Sequence, residues 1–141
     1  LSNIKEIAPG LFQSALNHAV AEMDKEFQAK IDVIVIMAEA DVFQRCGDLP
    51  ILLTPIDDNP AGTDRLQYVQ NIAALVARKR VLTICHVGEN RSGLLSALIL
   101  IERGTTPEDA VALVQKNGPH NSPTQLHSFW NPGFVKQVLA L

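Results

Sequence analysis

The sequence predicts an α/β layered fold. Three observations carry that prediction. Short apolar runs alternate with longer amphipathic ones along all 141 residues. Ile31 to Met37 is a near-continuous run rich in Ile and Val, which reads as a strand buried on both faces. Val81 to Ile84 is a short β-branched strand that leads, through a loop, into a nearly all-apolar helix from Arg91 to about Glu102.

The remaining elements follow in order. Leu11 to Gln13 forms a first short strand after the Pro9-Gly10 turn, and His18 to Lys30 carries charges at helical spacing, as a surface helix does. Leu49 to Ile56 is a strand confined by Pro50 and Pro55 to the section between them. Asp57 to Gly62 is a loop signal. Thr63 or Asp64 then caps a helix to about Lys79, with Leu66, Val69, Ile72, Ala73 and Val76 on one face. Gly104 stops the apolar helix. Thr106 caps the next, with Pro107 at its first position and Glu108 and Asp109 at its positive end, and it ends near Asn117-Gly118. Asn131 to Leu141 closes the chain as a short helix.

This length is one domain's worth, so residues 1–141 are expected to form a single domain. Hydrophobic residues make up 47% and the formal net charge is −3, which gives no general footprint for nucleic acid or an anionic membrane surface. The longest apolar stretch, Leu94 to Ile101, is too short to cross a bilayer, and the opening residues do not read as a secretory leader. Two cysteines, Cys46 and Cys85, without regular spacing point to a reducing compartment, hence a cytoplasmic location. His18, His120 and His127 are too scattered for a metal motif.

The decisive segment runs from Val81 to Gly93. Cys85 opens a loop and Arg91 closes it, with five residues between them. The backbone N–H groups from His86 through Val87, Gly88, Glu89 and Asn90 to Arg91 can converge on one anion, and the helix N-terminus adds its positive end. The same field stabilises a thiolate, a good nucleophile for phosphorus. Arg91 offers a planar fork for two phosphoryl oxygens. Gly88 permits a turn that a side chain obstructs, and Ser92 can donate a hydrogen bond to the sulfur. The competing reading is a buried cysteine ahead of a capped helix. It accounts for the thiol but not for Gly88, Ser92 and the strand-loop-helix context together.

This segment resembles the Cys-x5-Arg-Ser/Thr signature of the protein tyrosine and dual-specificity phosphatases. The resemblance extends over most of the chain. Ile7-Ala8-Pro9-Gly10-Leu11-Phe12-Gln13-Ser14 is similar to that family's opening strand, Pro55-Ile56-Asp57-Asp58-Asn59 to its general-acid loop, and Asn131-Pro132-Gly133-Phe134 to its closing segment. It implies a three-layer sandwich with a central, mostly parallel sheet flanked by helices, and the site at the C-terminal end of the Val81 to Ile84 strand. It implies a phosphomonoester hydrolase working through a phosphocysteine, with Cys85 as nucleophile, Arg91 as clamp, Ser92 assisting the sulfur, and neither metal nor cofactor. The general acid is Asp58, which precedes Asn59 as the family pattern requires, with Asp57 as the alternative. The bland reading of both aspartates is a turn or a helix cap.

Two departures from the pattern stand out. Ile84 occupies the position where the family usually has histidine, and Glu89 places a negative charge inside the loop. Glu89 either weakens the attraction for polyanions or points outward. The resemblance associates lysines in this loop with phosphoinositide and inositol pyrophosphate substrates, and none is present. A phosphorylated protein, phosphotyrosine above all, or a small phosphomonoester fits better. His86 follows the cysteine, but its side chain is expected to project elsewhere than the family's histidine, as a solvent-facing loop residue. Cys46 reads as an inert thiol, or as a disulfide partner for an oxidised Cys85. Phe129 and Trp130 read as packing for the C-terminal segment, or as a substrate wall. Two rival functions remain: a pseudophosphatase that binds phosphate without turnover, and a rhodanese-like sulfurtransferase.

Overall fold

The computed structural model describes residues 3–40 and 48–141. Among these, one five-stranded sheet forms in the order β1-β2-β5-β3-β4. Its strands are β1 (Lys5–Ala8), β2 (Leu11–Ala15), β3 (Val33–Ile36), β4 (Ile51–Leu53) and β5 (Val81–Cys85). The hairpin β1–β2 is antiparallel, and the other three pairings are parallel. The expected mostly parallel sheet is therefore present. The Ile7 to Ser14 stretch likened to one opening strand is the end of β1 and most of β2; the residue pattern alone does not give β1, which is half exposed and has no alternation to read. Gly10, at φ 74°, makes the tight turn that folds it back.

β5 lies in the middle. Ala15 of β2 is level with Cys85 on one side, and Ile36 of β3 is level with Ile84 on the other. The side chains alternate with the period of two that a strand imposes. Val81 and Cys85, with Val33 and Val35 of β3, enter the larger core. Leu82 and Ile84, with Ile34 and Ile36, enter the second core on the opposite face.

Helices cover both faces. On the second core lie α1 (Leu16–Glu22) and α2 (Lys25–Gln28). The sequence pattern suggested one helix from His18 to Lys30. The structure breaks it at Met23-Asp24, because the Asp24 carboxylate accepts from the Phe27 N–H at 2.8 Å and caps a new turn. Phe27 then meets Phe12 edge to face, with ring centroids 5.2 Å apart.

The larger core is covered by α3 (Leu66–Val76), α4 (Arg91–Glu102), α5 (Pro107–Asn117) and α6 (Pro132–Leu139). Thr63 accepts from the Arg65 N–H, so α3 starts after that turn rather than at Thr63 or Asp64. α4 is buried from Ser92 to Leu100 and packs against β5, which makes it the central helix. Thr83 Oγ1 of β5 and Ser96 Oγ of α4 share a hydrogen bond of 2.9 Å inside this packing. Thr106 and Asn131 cap α5 and α6 through the N–H groups of Asp109 and Phe134. At the far end of α4, Arg103 donates to the carbonyls of Ala77, Lys79 and Pro9, tying the β1–β2 turn to the α3–β5 connection. No described helix is long and apolar enough to cross a membrane.

The start of β3 is tied to β5 by Asp32 and Arg80, whose carboxylate and guanidinium meet at 2.8 Å. The side-chain hydrogen bond from Arg80 holds the Asp32 carboxyl at about 2, below its ordinary 3.8. A depressed folded-state pKa contributes stability that is full above the unfolded value and is lost as pH falls toward the folded one. The gap in urea midpoint between wild type and Asp32→Asn should therefore be constant near neutral pH. It should shrink between about pH 4 and about pH 2.

Candidate active site

The site grows from the end of β5. Cys85 is the last strand residue and is 2% exposed, and its Sγ lies 3.2 Å from Ser92 Oγ in the first turn of α4. Between them runs the loop from His86 to Asn90. Among the described residues, no backbone N–H from His86 to Arg91 has a protein acceptor. The carbonyls of Gly88 and Glu89 instead accept from Nε2 of Gln13, at 2.9 and 3.5 Å. Carbonyls drawn toward β2 leave the N–H groups for an anion at the N-terminus of α4.

Gly88 is required here for two separate reasons. Its φ is 84°, and a Cβ there would stand 2.3 Å from the Ala15 nitrogen. The loop is thus pressed onto the end of β2.

Arg91 is the first residue of α4, and its side chain lines the cleft beside the loop. Its Nη1 donates to the Ile56 carbonyl at 3.4 Å, while its buried Nε has no partner among the described residues. An unpaired guanidinium N–H at an anion-shaped loop fits a bidentate oxyanion contact. The adjoining cleft, about 480 Å³, is lined by Glu39, Pro55, Ile56, Asp57, Arg65, His86 and Arg91. His86 is exposed, as a solvent-facing loop histidine is, and it lines the cleft.

Asp57 and Asp58 are both exposed, but they face different partners. Asp57 lines the cleft beside Arg91. The Asp58 carboxylate accepts from Nδ2 of Asn131 at 2.7 Å and from Nδ2 of Asn90 at 3.3 Å. The acid-candidate loop is therefore fastened both to the Cys85–Arg91 loop and to the start of α6.

Glu89 does not take the outward course. It is fully buried, folded behind the loop. Its carboxylate accepts from the backbone N–H groups of Asn121 (2.8 Å) and Ser122 (3.1 Å), from the Ser122 hydroxyl, and from Nε1 of Trp130 (3.1 Å). Asn90 does likewise, its Oδ1 accepting from the N–H groups of Trp130 and Asn131, both at 2.9 Å. Both side chains are engaged within the protein, Asn90 also reaching Asp58 through its Nδ2, so what these residues can offer an anion is their backbone N–H. Ile84 packs in the second core, on the opposite face of β5 from Cys85. Phe129 packs against Gly93 of α4, as the C-terminal packing role requires.

The sequence reading missed Gln13 and Ser122. Gln13 carried a signal, a polar residue inside an apolar strand that is fully buried in the fold. Ser122 carried none. Cys46 lies outside the described residues. Among the described residues no group of three or more His, Cys, Asp or Glu is placed to hold a metal ion.

This architecture is that of a dual-specificity phosphatase-like domain. Among solved structures, the chain is similar to human DUSP28, at 21% identity, with 99% of this chain and 93% of that chain covered and a TM-score of 0.75. A mouse putative dual specificity phosphatase complexed with zinc tungstate matches at 21% identity over 99% of this chain and 88% of that one, with a TM-score of 0.72. The human tyrosine phosphatase-like serine/threonine/tyrosine-interacting protein matches at 22% identity over 97% and 93%, with a TM-score of 0.66. At these identities the likeness establishes the fold. No protein-family model and no curated protein matches the sequence.

Two glycines separate backbone strain from collision. Gly104 has φ 102° with nothing within 4 Å of a Cβ, whereas Gly88 meets Ala15. Gly104→Ala should cost about 1 kcal/mol and Gly88→Ala about 3 kcal/mol, read from urea unfolding. Equal costs would mean that the loop is not pressed onto β2.

Proposed function

We propose that this chain is a single catalytic domain, a cysteine-dependent phosphomonoester hydrolase. One observation carries the reading: a cysteine 3.2 Å from a serine hydroxyl opens a loop of unpartnered N–H groups that an arginine closes. The Cys85 thiolate attacks phosphorus in line, forming an S–P bond as the ester P–O bond breaks. The loop N–H groups and Arg91 stabilise the equatorial oxygens. The leaving oxygen takes its proton from the Asp57-Asp58 loop. Water then attacks the phosphocysteine, giving up a proton to the same carboxylate. The S–P bond breaks, and Ser92 donates a hydrogen bond to the departing sulfur.

Asp58 is proposed as the acid on its place before Asn59. Its contact with Asn90 keeps it next to the Cys85–Arg91 loop, which supports the reading. Asp57 is the alternative because it already lines the cleft. Glu39 and Asp57 stand among the cleft residues with Arg65 and Arg91, a mixed charge that suits one phosphate better than several. A phosphorylated protein is the proposed substrate, with phosphotyrosine preferred, and a small phosphomonoester is the alternative. A thiol nucleophile works only when reduced, which fits a cytoplasmic location.

Phosphate binding without turnover is the second reading. The amide clamp on Asp58 favours it, since that carboxylate is engaged rather than free to reach a leaving group.

The test is hydrolysis of p-nitrophenyl phosphate in chelator, from about pH 5 to about pH 8. Wild type should turn over, Cys85→Ser should be inactive, and Asp58→Asn should lose about 100-fold in kcat while Asp57→Asn changes it about two-fold. The reverse order assigns the acid to Asp57. Folded wild type that binds phosphate but never turns over selects the second reading.

A further inference from the structure

We propose that Glu89 is a positioning residue, whose buried carboxylate latches Asn121, Ser122 and Trp130 to the back of the Cys85–Arg91 loop and so sets the aim of its N–H groups. The inference rests on the phosphate-binding reading of that loop and goes beyond it.

A buried carboxylate is costly unless its oxygens are satisfied. Among the described residues no lysine or arginine pairs with Glu89. Its compensation is four neutral donors: two backbone N–H groups, a hydroxyl and an indole. All four belong to the segment that leads into α6, so the carboxylate joins two parts of the chain that have no covalent reason to meet. Asn121 Nδ2 adds a bond to the Val87 carbonyl at 2.8 Å, drawing one more loop carbonyl backward. Asn90 Oδ1 also ties Trp130 and Asn131 to the loop, whereas among the described residues the Asn121–Ser122 end is held by Glu89 and by the Asn121–Val87 bond. Ile84 offers no hydrogen bond from its side chain, and Gln13 reaches only the Gly88 and Glu89 carbonyls.

Charge and position predict opposite signs. A negative charge behind an anion site opposes the anion, so removing it should tighten binding if Glu89 acts through charge. If Glu89 acts through position, removing it loosens the loop and weakens binding. Glu89→Gln separates the two. Its amide oxygen can still accept from Asn121 and Ser122, but its NH2 then faces the Trp130 indole N–H, donor against donor. Adding Trp130→Phe removes that conflict.

The experiment measures tungstate affinity of the full chain by calorimetry, with KM for p-nitrophenyl phosphate alongside. Glu89→Gln should bind tungstate about 10-fold more weakly and raise KM by a similar factor, and Glu89→Gln with Trp130→Phe should return to within about 3-fold of wild type. Trp130 is the chain's one tryptophan, so the emission spectrum of Glu89→Gln should shift from that of wild type. Tungstate binding by Glu89→Gln as tight as wild type, or tighter, overturns the proposal. If that variant does not fold, Ser122→Ala and Trp130→Phe each remove one donor and should each weaken tungstate about 3-fold; unchanged affinity in both overturns it. Wild type that binds no tungstate overturns the phosphate-site reading itself and the latch with it, whereas wild-type binding with an indifferent Glu89→Gln overturns the latch alone.

Discussion

A loop whose N–H groups have no protein acceptor among the described residues must still place its carbonyls and side chains, and that constraint organises this molecule. Carbonyls and N–H groups alternate along a backbone, so aiming one set exposes the other to an unsatisfied fate. Here the Gly88 and Glu89 carbonyls go to Gln13 and the Val87 carbonyl goes to Asn121. The Glu89 and Asn90 side chains go to the 121–131 segment. The outlets come from β2 and from the approach to α6, which is why the site needs both at once.

The sheet supplies the rigid base for this arrangement. Cys85 stands at the end of a strand paired on both sides, with every residue of β5 buried. Ser92 sits in α4, the helix buried along nearly its whole length. The separation of sulfur and hydroxyl is thus set by packing of a central strand against a central helix, reinforced by the bond from Thr83 to Ser96. Sites held by such elements keep their geometry better than sites made of loops alone. The acid-candidate loop is fastened differently, by amides of Asn90 and Asn131 on exposed Asp58, so the two halves of the chemistry rest on supports of unequal stiffness.

Much of this was legible in the sequence, for local reasons. The β3 and β5 runs, the apolar face of α3, the all-apolar α4 and the Thr106-Pro107 start of α5 are written in period and capping. Cys85, Gly88, Arg91 and Ser92 lie within one short segment, so their grouping needs no knowledge of the fold. What stayed hidden depends on contacts between distant residues. Glu89 could be read only as a charge in a loop, because the donors that bury it come from more than 30 residues away. The break at Asp24 escaped because a helical charge pattern does not show when a carboxylate will cap a new turn.

The central claim is that the Cys85–Arg91 loop hands a phosphoryl group to sulfur. The measurement that tests it most directly is acid quenching of the full chain during reaction with a phosphotyrosyl peptide, followed by mass spectrometry of the fragment that contains Cys85. The account predicts a phosphoryl adduct on Cys85 that accumulates when Asp58 is replaced by Asn and is absent from Cys85→Ser. Turnover that proceeds with no adduct on Cys85, or with one on another residue, would contradict it.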